Sequence, residues 1–266
     1  MDSITTAEFI AACDSNLSEK SLSFAGLPGG EVHEPNPIWF ISGSRLAGYN
    51  GVVRASFTRE GLDNAIKEAM HPFRQRGLSF TWWTGPSSQP ANLPVRLQQH
   101  GFIHNRDMLG MAADIHRLTS PYESLPALKI EQVTTPETLF EWYPVYMQGF
   151  NSPASIAKES LDVMAALSFK PGSAWSHYLA RENGKIIAIS SLYIHDGIAG
   201  LYNLVTPPED RGRGIGTAMT MRTYAIAADL GCRIATLQTT YPNAMRLYHR
   251  LGFEVYCKFG IYQFIR

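Results

Sequence analysis

Followed by the spacing of its apolar positions, the second half of the chain alternates between strand and helix periods. "LKIEQV" (128–133) predicts a short strand, and "SHYLARENGKIIAISSLYIHDGIAGLYNLV" holds two strand patterns joined by a turn at Asn183-Gly184. That dipeptide tolerates the left-handed backbone of a two-residue hairpin. A third strand follows a looser turn at Asp196-Gly197. Between the first two strand patterns lie two helix patterns. "TPETLFEWYPVYMQGF" opens with Thr135 as N-cap, Pro136 at the first helical position and Glu137 in the first turn. "SPASIAKESLDVMAAL" (152–167) repeats the signal with Ser152 before Pro153. After the third strand come a glycine-rich loop, a helix to Leu230 closed by Gly231, the strand "RIATLQT", another helix and a final pair of strands.

The first half echoes this ending. "NLPVRLQQHGF" (92–102) and "NAMRLYHRLGF" (243–253) share their first residue and their closing Gly-Phe, and follow the strand patterns "LSFTWWT" and "RIATLQT". Within the first strand pattern, Trp82 and Trp83 alternate between faces, one toward the core. A duplicated unit explains the echo. Between the halves, "RLTSPYESLPALK" (117–129) breaks the patterning with two prolines and several polar residues. We therefore expect domains over 1–116 and 129–266, joined by a linker over 117–128, each of α/β (α+β) class with a mixed sheet flanked by helices.

Composition narrows the function. In 266 residues, 23 Lys and Arg balance 23 Asp and Glu, so no net field favours a polyanion and no nucleic-acid partner is expected. Cys13, Cys232 and Cys257 have neither disulfide-framework nor metal-ligand spacing, and "EVHE" (31–34) has no second ligand pair and reads as a loop. No metal is expected. The start "MDSITTAEFIAACDS" has an acid in place of a basic n-region, and no apolar run reaches membrane length. A cytoplasmic protein with no membrane partner is expected; its oligomeric state is not set by the sequence.

The chemistry gathers on "EDRGRGIGTAM" (209–219), where Gly212, Gly214 and Gly216 fall at alternate positions beside Arg211 and Arg213. Its strand–loop–helix context puts it at a helix N-terminus, where unpaired amides and the helix dipole attract an anion. A nucleoside-triphosphate loop needs Gly-Lys-Ser/Thr, and Gly216-Thr217 lacks the lysine. A dinucleotide loop needs an acid about 20 residues on, and "CRIATL" has none there. Arg211-x-x-Gly214-x-Gly216 is similar to the Q/R-x-x-G-x-G/A pattern of the GNAT superfamily of N-acetyltransferases. "LVTPPEDRGRGIG" and "NAMRLYHRLGFE" resemble that family's strand-plus-loop and closing helix-plus-strand, in order, over most of 129–266. An ordinary glycine-rich strand-to-helix turn is the plain alternative.

The resemblance implies two GNAT-like mixed sheets and an acyl-CoA-dependent N-acyltransferase. Acetyl-CoA would be the cosubstrate, and a small-molecule or peptide amine the acceptor. Coenzyme A would lie against Arg211, Gly212, Arg213, Gly214, Ile215, Gly216 and Thr217. The backbone near Leu204, Val205 and Thr206 would pair with the pantetheine arm, and the Val205 amide would meet the acyl oxygen. Tyr248 matches the tyrosine that protonates the departing thiolate. The family's common strand carboxylate is missing from "GLYNLVT", which leaves the base unnamed and Asn203 or Tyr202 to orient a water. The asparagine common seven residues before the tyrosine is replaced by Tyr241, and Asn243, displaced by two, is expected to take its place in binding the cofactor. Glu209 and Asp210 read as solvated acids, and His177 and His195 as structural. The first half reads as degenerate, with no glycine-arginine loop and with Leu97 where the second half has Tyr248. A non-catalytic acyl-CoA sensor or interaction module is the rival reading.

Overall fold

The computed structural model describes residues 3–120 and 126–266, so the expected linker falls in part, at 121–125, outside the described residues. The helices are α1 (Thr6–Leu22), α2 (Leu62–Arg76), α3 (Leu93–Gln99), α4 (Pro136–Gly149), α5 (Ala157–Ser168), α6 (Ile215–Asp229) and α7 (Pro242–Leu251). The first six strands are β1 (Glu31–His33), β2 (Ile38–Ile41), β3 (Gly51–Val53), β4 (Phe80–Thr84), β5 (Ile103–Asp114) and β6 (Ile130–Gln132). The rest are β7 (Trp175–Glu182), β8 (Lys185–His195), β9 (Ile198–Val205), β10 (Ile234–Thr239) and β11 (Glu254–Phe264).

Two compact units form, and neither is continuous in sequence. One holds Met1–Asn16 with Met111–Tyr256 and contains the glycine-arginine loop; the other holds Leu17–Gly110 with Cys257–Arg266. In the loop unit the strand order is β5-β10-β9-β8-β7-β6. There β9 and β10 are parallel, and β6, β7, β8 and β9 pair antiparallel in turn. In the other unit the order is β1-β2-β3-β4-β11, with β3 and β4 parallel and the remaining pairs antiparallel. Each parallel pair is bridged by one helix, α6 or α2, as a parallel pair requires. Both bridging helices start on a left-handed glycine, Gly214 (φ 75°) and Gly61 (φ 76°). The echo in the sequence is therefore an echo in topology. The strand closing each repeat changes unit along its length: β5, after α3, passes into the loop unit at Met111, and β11, after α7, leaves it at Cys257.

Local chemistry explains most of the element ends. Asn183 (φ 51°) and Gly184 (φ 81°) make the β7–β8 turn. Asp196 (φ 48°) and Gly197 (φ 72°) make the β8–β9 turn in the same way, so this second turn is as tight as the first and not looser. Three other expectations change. "EVHE" is not a loop: Glu31–His33 pairs with β2, and His33 stacks on Trp39. One long strand, β11, replaces the final pair. The chain is extended at Pro153 (ψ 138°), so α5 begins only at Ala157, after a short 3-10 turn.

Helix α4 starts where its signal says. The Thr135 hydroxyl accepts the Thr138 amide at 3.3 Å, and the Thr138 hydroxyl accepts the Thr135 amide at 3.3 Å, a reciprocal capping box. Thr135→Ala is expected to lower stability by about 1 kcal/mol. An unchanged denaturant midpoint would show that the cap contributes nothing.

In the loop unit both sheet faces are covered. Met219 and Tyr224 of α6 and Leu251 of α7 pack with Phe253, Leu192, Leu201 and Leu237. On the opposite face Leu139 and Trp142 of α4 meet Leu179, Ile189 and Val205. Trp142 satisfies its indole by donating to the Tyr178 carbonyl at 2.9 Å. The other unit has its own core, in which Phe73 and Phe80 stack at 4.0 Å beside Trp82 and Leu97. Trp82 is fully buried, while Trp83 lies under the Lys20 ammonium. Among the described residues no helix is long and apolar enough to cross a membrane.

Candidate active site

The loop unit opens where β9 and β10 stop pairing. Their parallel register runs from Ile198 with Ile234 to Leu201 with Leu237. Both strands continue, to Val205 and Thr239, without further paired positions. On its other edge β9 carries a bulge: between the pairs Ser191–Tyr202 and Ile189–Val205, three steps along β9 oppose two along β8. Asn203 sits in it with φ 53°, a left-handed conformation. A bulge re-aims side chains and twists its strand out of the ladder.

Beyond β9 the chain turns through Pro208–Asp210 into the glycine-arginine loop. Gly212 (φ 77°) and Gly214 (φ 75°) are both left-handed, which an L side chain resists. The first helical bond at the start of α6 runs from the Ala218 amide to the Gly214 carbonyl at 3.0 Å. The amides of Ile215, Gly216 and Thr217 therefore have no acceptor in their own helix, and glycine offers no side-chain cap. A β-carbon on Gly212 would meet nothing within 4 Å, and one on Gly216 would stand 3.5 Å from Thr206 Oγ1. The result is a row of open amides at the positive end of a helix.

The loop's charges divide into two roles. Arg213 donates through one terminal nitrogen to both Glu182 oxygens, at 2.7 and 2.9 Å, and through the other to Asp210 at 3.2 Å. Asp210 is not a solvated acid: it is buried, and also accepts from the Lys185 ammonium at 2.9 Å, with Glu209 3.0 Å from the same group. Arg213 thus braces the loop against the β7–β8 hairpin. Arg211 donates Nε–H to the Thr206 carbonyl at 3.0 Å and keeps its two terminal nitrogens without a partner among the described residues. One further donor lies where the strands part: the buried side-chain nitrogen of Gln238, the first residue after the last β9–β10 pair, has no hydrogen-bond partner among the described residues.

Residues 137–253 match the model of the acetyltransferase (GNAT) family. The chain carries a GNAT acetyltransferase domain. Its fold is similar to that of a GCN5-related N-acetyltransferase from Kribbella flavida, 16% identical over 95% of each chain with a TM-score of 0.73. Another GCN5-related N-acetyltransferase, from Sphaerobacter thermophilus, is 17% identical over 88% of this chain and 75% of that one, with a TM-score of 0.60. A tandem GNAT protein from the clavulanic acid biosynthesis pathway is 14% identical over 90% of this chain and 84% of that one, also at 0.60. At such identities the likeness is one of fold. No curated protein matches the chain in sequence.

In the GNAT domain Tyr248 lies on α7, 7% exposed, in the apolar cluster of α6 and α7, with its ring edge-on to Phe253 at 5.9 Å. Burial pushes its phenol pKa well up, so it keeps its proton throughout the neutral range. Its hydroxyl has no hydrogen-bond partner among the described residues. Asn243 belongs to the first turn of α7; its side chain lies outside the described residues. Leu204 packs beside the α6 cluster, and Val205 is buried on the α4 face.

The face carrying Asn203 is polar and aromatic. Asn203 donates to Ser191 at 2.9 Å, and Ser191 is 2.6 Å from Nδ1 of the buried His177. Tyr202 donates to Asn16 at 2.8 Å, and Asn16 donates to the Tyr193 and Ile198 carbonyls at 3.2 Å. Trp175 stands beside His177, Tyr193 and Tyr202 at ring distances of 5.9, 5.1 and 5.7 Å. Ser191, Gln238 and Asn16 escaped the reading of the sequence. For Ser191 and Gln238 the one signal is a polar residue inside an apolar run, as in "IAISSLY" and "IATLQT", and that signal does not say what the residue meets; Asn16 lies in the polar stretch "CDSNLSE" and carries no such signal.

Burial lowers the His177 pKa from 6.5 to about 4, which keeps the ring neutral. The folded value lies below the unfolded one, so the unfolded chain binds the proton first. Stability is whole above the unfolded pKa and falls as pH drops from 6.5 toward 4, by up to about 3 kcal/mol. In His177→Gln this part of the acid loss is expected to vanish. Parallel pH–stability curves for the two proteins would contradict it.

Proposed function

We propose that the GNAT domain transfers the acetyl group of acetyl-CoA directly to the nitrogen of a small-molecule or peptide amine. The observation that carries this reading is the convergence of two openings. The unpaired end of β9 and β10 leads toward the loop in which the α6 amides have no acceptor. An elongated ligand with a phosphate end fits that combination, as a helix N-terminus accepts anions and a strand edge accepts amides.

Acetyl-CoA, when bound, supplies an acyl group activated as a thioester. The amides of Gly212 to Thr217 and the guanidinium of Arg211 bind its phosphates, and Arg213 holds the loop in shape through Glu182 and Asp210. The β9 backbone at Leu204, Val205 and Thr206 holds the arm, and Gln238 offers the nearby side-chain donor. Tyr248 holds a proton at its hydroxyl oxygen, ready for a departing sulfur. Asn203, on the bulge, orients the nitrogen nucleophile or its water.

Steady-state release of thiol from acetyl-CoA across a panel of amines tests this. At least one amine is expected to raise thiol release well above the hydrolytic background, with matching N-acetylated product. Tight acetyl-CoA binding with no turnover on any amine would favour the sensor reading instead.

A further inference from the structure

The buried chain behind Asn203 has only one consistent arrangement of hydrogens. It starts at a carbonyl. The Ser168 hydroxyl lies 2.6 Å from the Met164 carbonyl, and a carbonyl oxygen only accepts, so the Ser168 proton is committed to it. Ser168 can then only accept from His177 Nε2, 2.8 Å away, so that nitrogen carries the imidazole proton. A neutral ring has one such proton, which leaves Nδ1 as an acceptor. Ser191, 2.6 Å from Nδ1, must donate to it. With its only proton used, Ser191 can only accept from Asn203, and the Asn203 amide must present its NH2 group there at 2.9 Å. Its oxygen is thereby turned away from Ser191, and accepts from no group among the described residues. The ring is held in place by its surroundings, with Trp142 at 5.0 Å and Trp175 at 5.9 Å.

We propose that His177, acting through Ser191, fixes the Asn203 amide with its oxygen directed away from Ser191, as the acceptor that orients the N–H of the incoming amine. The inference rests on the amine-transfer reading. It gives the GNAT domain an uncharged hydrogen-bond acceptor on β9, the strand that lacks a carboxylate. His177, Ser191 and Ser168 are positioning residues: none needs to touch the amine. The substrate class follows from the chemistry. A neutral amide oxygen recognises an N–H without the counter-charge that a polycation would demand, so monoamines are preferred to polyamines among acceptors of similar size.

Two measurements separate this from a plain structural role. Two-bond proton–nitrogen spectra of histidine-labelled protein are expected to show His177 as the Nε2–H tautomer at neutral pH, assigned by its loss in His177→Gln. The Nδ1–H tautomer would overturn the proposal whatever the activity. Secondly, Ser191→Ala should raise the amine KM at least about fivefold while the acetyl-CoA KM stays within about twofold. In an Asn203→Ala background the same change should add less than about twofold, because Ser191 acts through Asn203. Equal effects in both backgrounds, with each variant folded by its melting curve, would make Ser191 merely structural and overturn the proposal. A wild-type protein inactive on every amine would instead overturn the transfer reading itself, and this inference with it. A panel on which polyamines outrank monoamines would overturn the stated class alone.

Discussion

Tyr248→Phe is expected to lower amine-dependent thiol release at least about tenfold while leaving CoA-dependent thermal stabilisation in place. The substitution removes one oxygen and leaves the ring in the cluster it shares with Phe253. That oxygen has no hydrogen-bond partner among the described residues, so its loss should cost little stability. Any change in rate then reports on chemistry and not on folding. Because burial raises the phenol pKa, the hydroxyl stays protonated far above neutrality. Tyr248 therefore puts no descending limb into the pH–rate profile between about pH 6 and 9. Turnover unchanged in Tyr248→Phe would remove the residue from the mechanism.

The second large effect belongs to the loop. Gly216→Glu should abolish the thermal stabilisation that coenzyme A gives the wild type, a stabilisation of about 2.7 kcal/mol when ligand is present at a hundred times its dissociation constant. Gly216 is the better position to test than Gly214, whose φ of 75° would strain any other residue and confuse folding with binding. A β-carbon at Gly216 has ordinary room, 3.5 Å from Thr206 Oγ1. A carboxylate in the first turn of α6 also suits the helix dipole, so the fold should survive. It brings negative charge to the amides expected to receive phosphate. Gly216→Ala serves as the control, adding the β-carbon without the charge, and should keep most of the shift. Persistence of the full shift in Gly216→Glu would sink the assignment of the loop to coenzyme A.

Legibility followed range. The hairpin at Asn183-Gly184, the cap at Thr135 and the stop at Gly231 are decided within four residues, and each was readable as written. The turn at Asp196-Gly197 is tighter than expected because an Asp-Gly pair reaches the same positive φ values as Asn-Gly. Pairing decides elsewhere: "EVHE" has no strand pattern of its own, and becomes a strand because β2 lies beside it. In the site, the loop and Tyr248 were visible as motif residues. The burial of Asp210 is not visible there, because it depends on Lys185, 25 positions earlier, as well as on the neighbouring Arg213.

The sequence by itself determined the repeated order of elements, the glycine-arginine loop at a helix start and the tyrosine of α7. Periodicity, caps and glycine spacing are local properties, and the chain carries them wherever it folds. Only the tertiary structure decided that the closing strands β5 and β11 change unit, that β9 and β10 part after Leu201 and Leu237, and that Asn203 is tied to His177 through Ser191. Buried and half-buried hydrogen bonds join residues 12 positions apart, as with Asn203 and Ser191, or 176 apart, as with Gly260 and Thr84. No local pattern chooses among such partners; what chooses is the requirement that nearly all buried donors and acceptors find partners in the same fold.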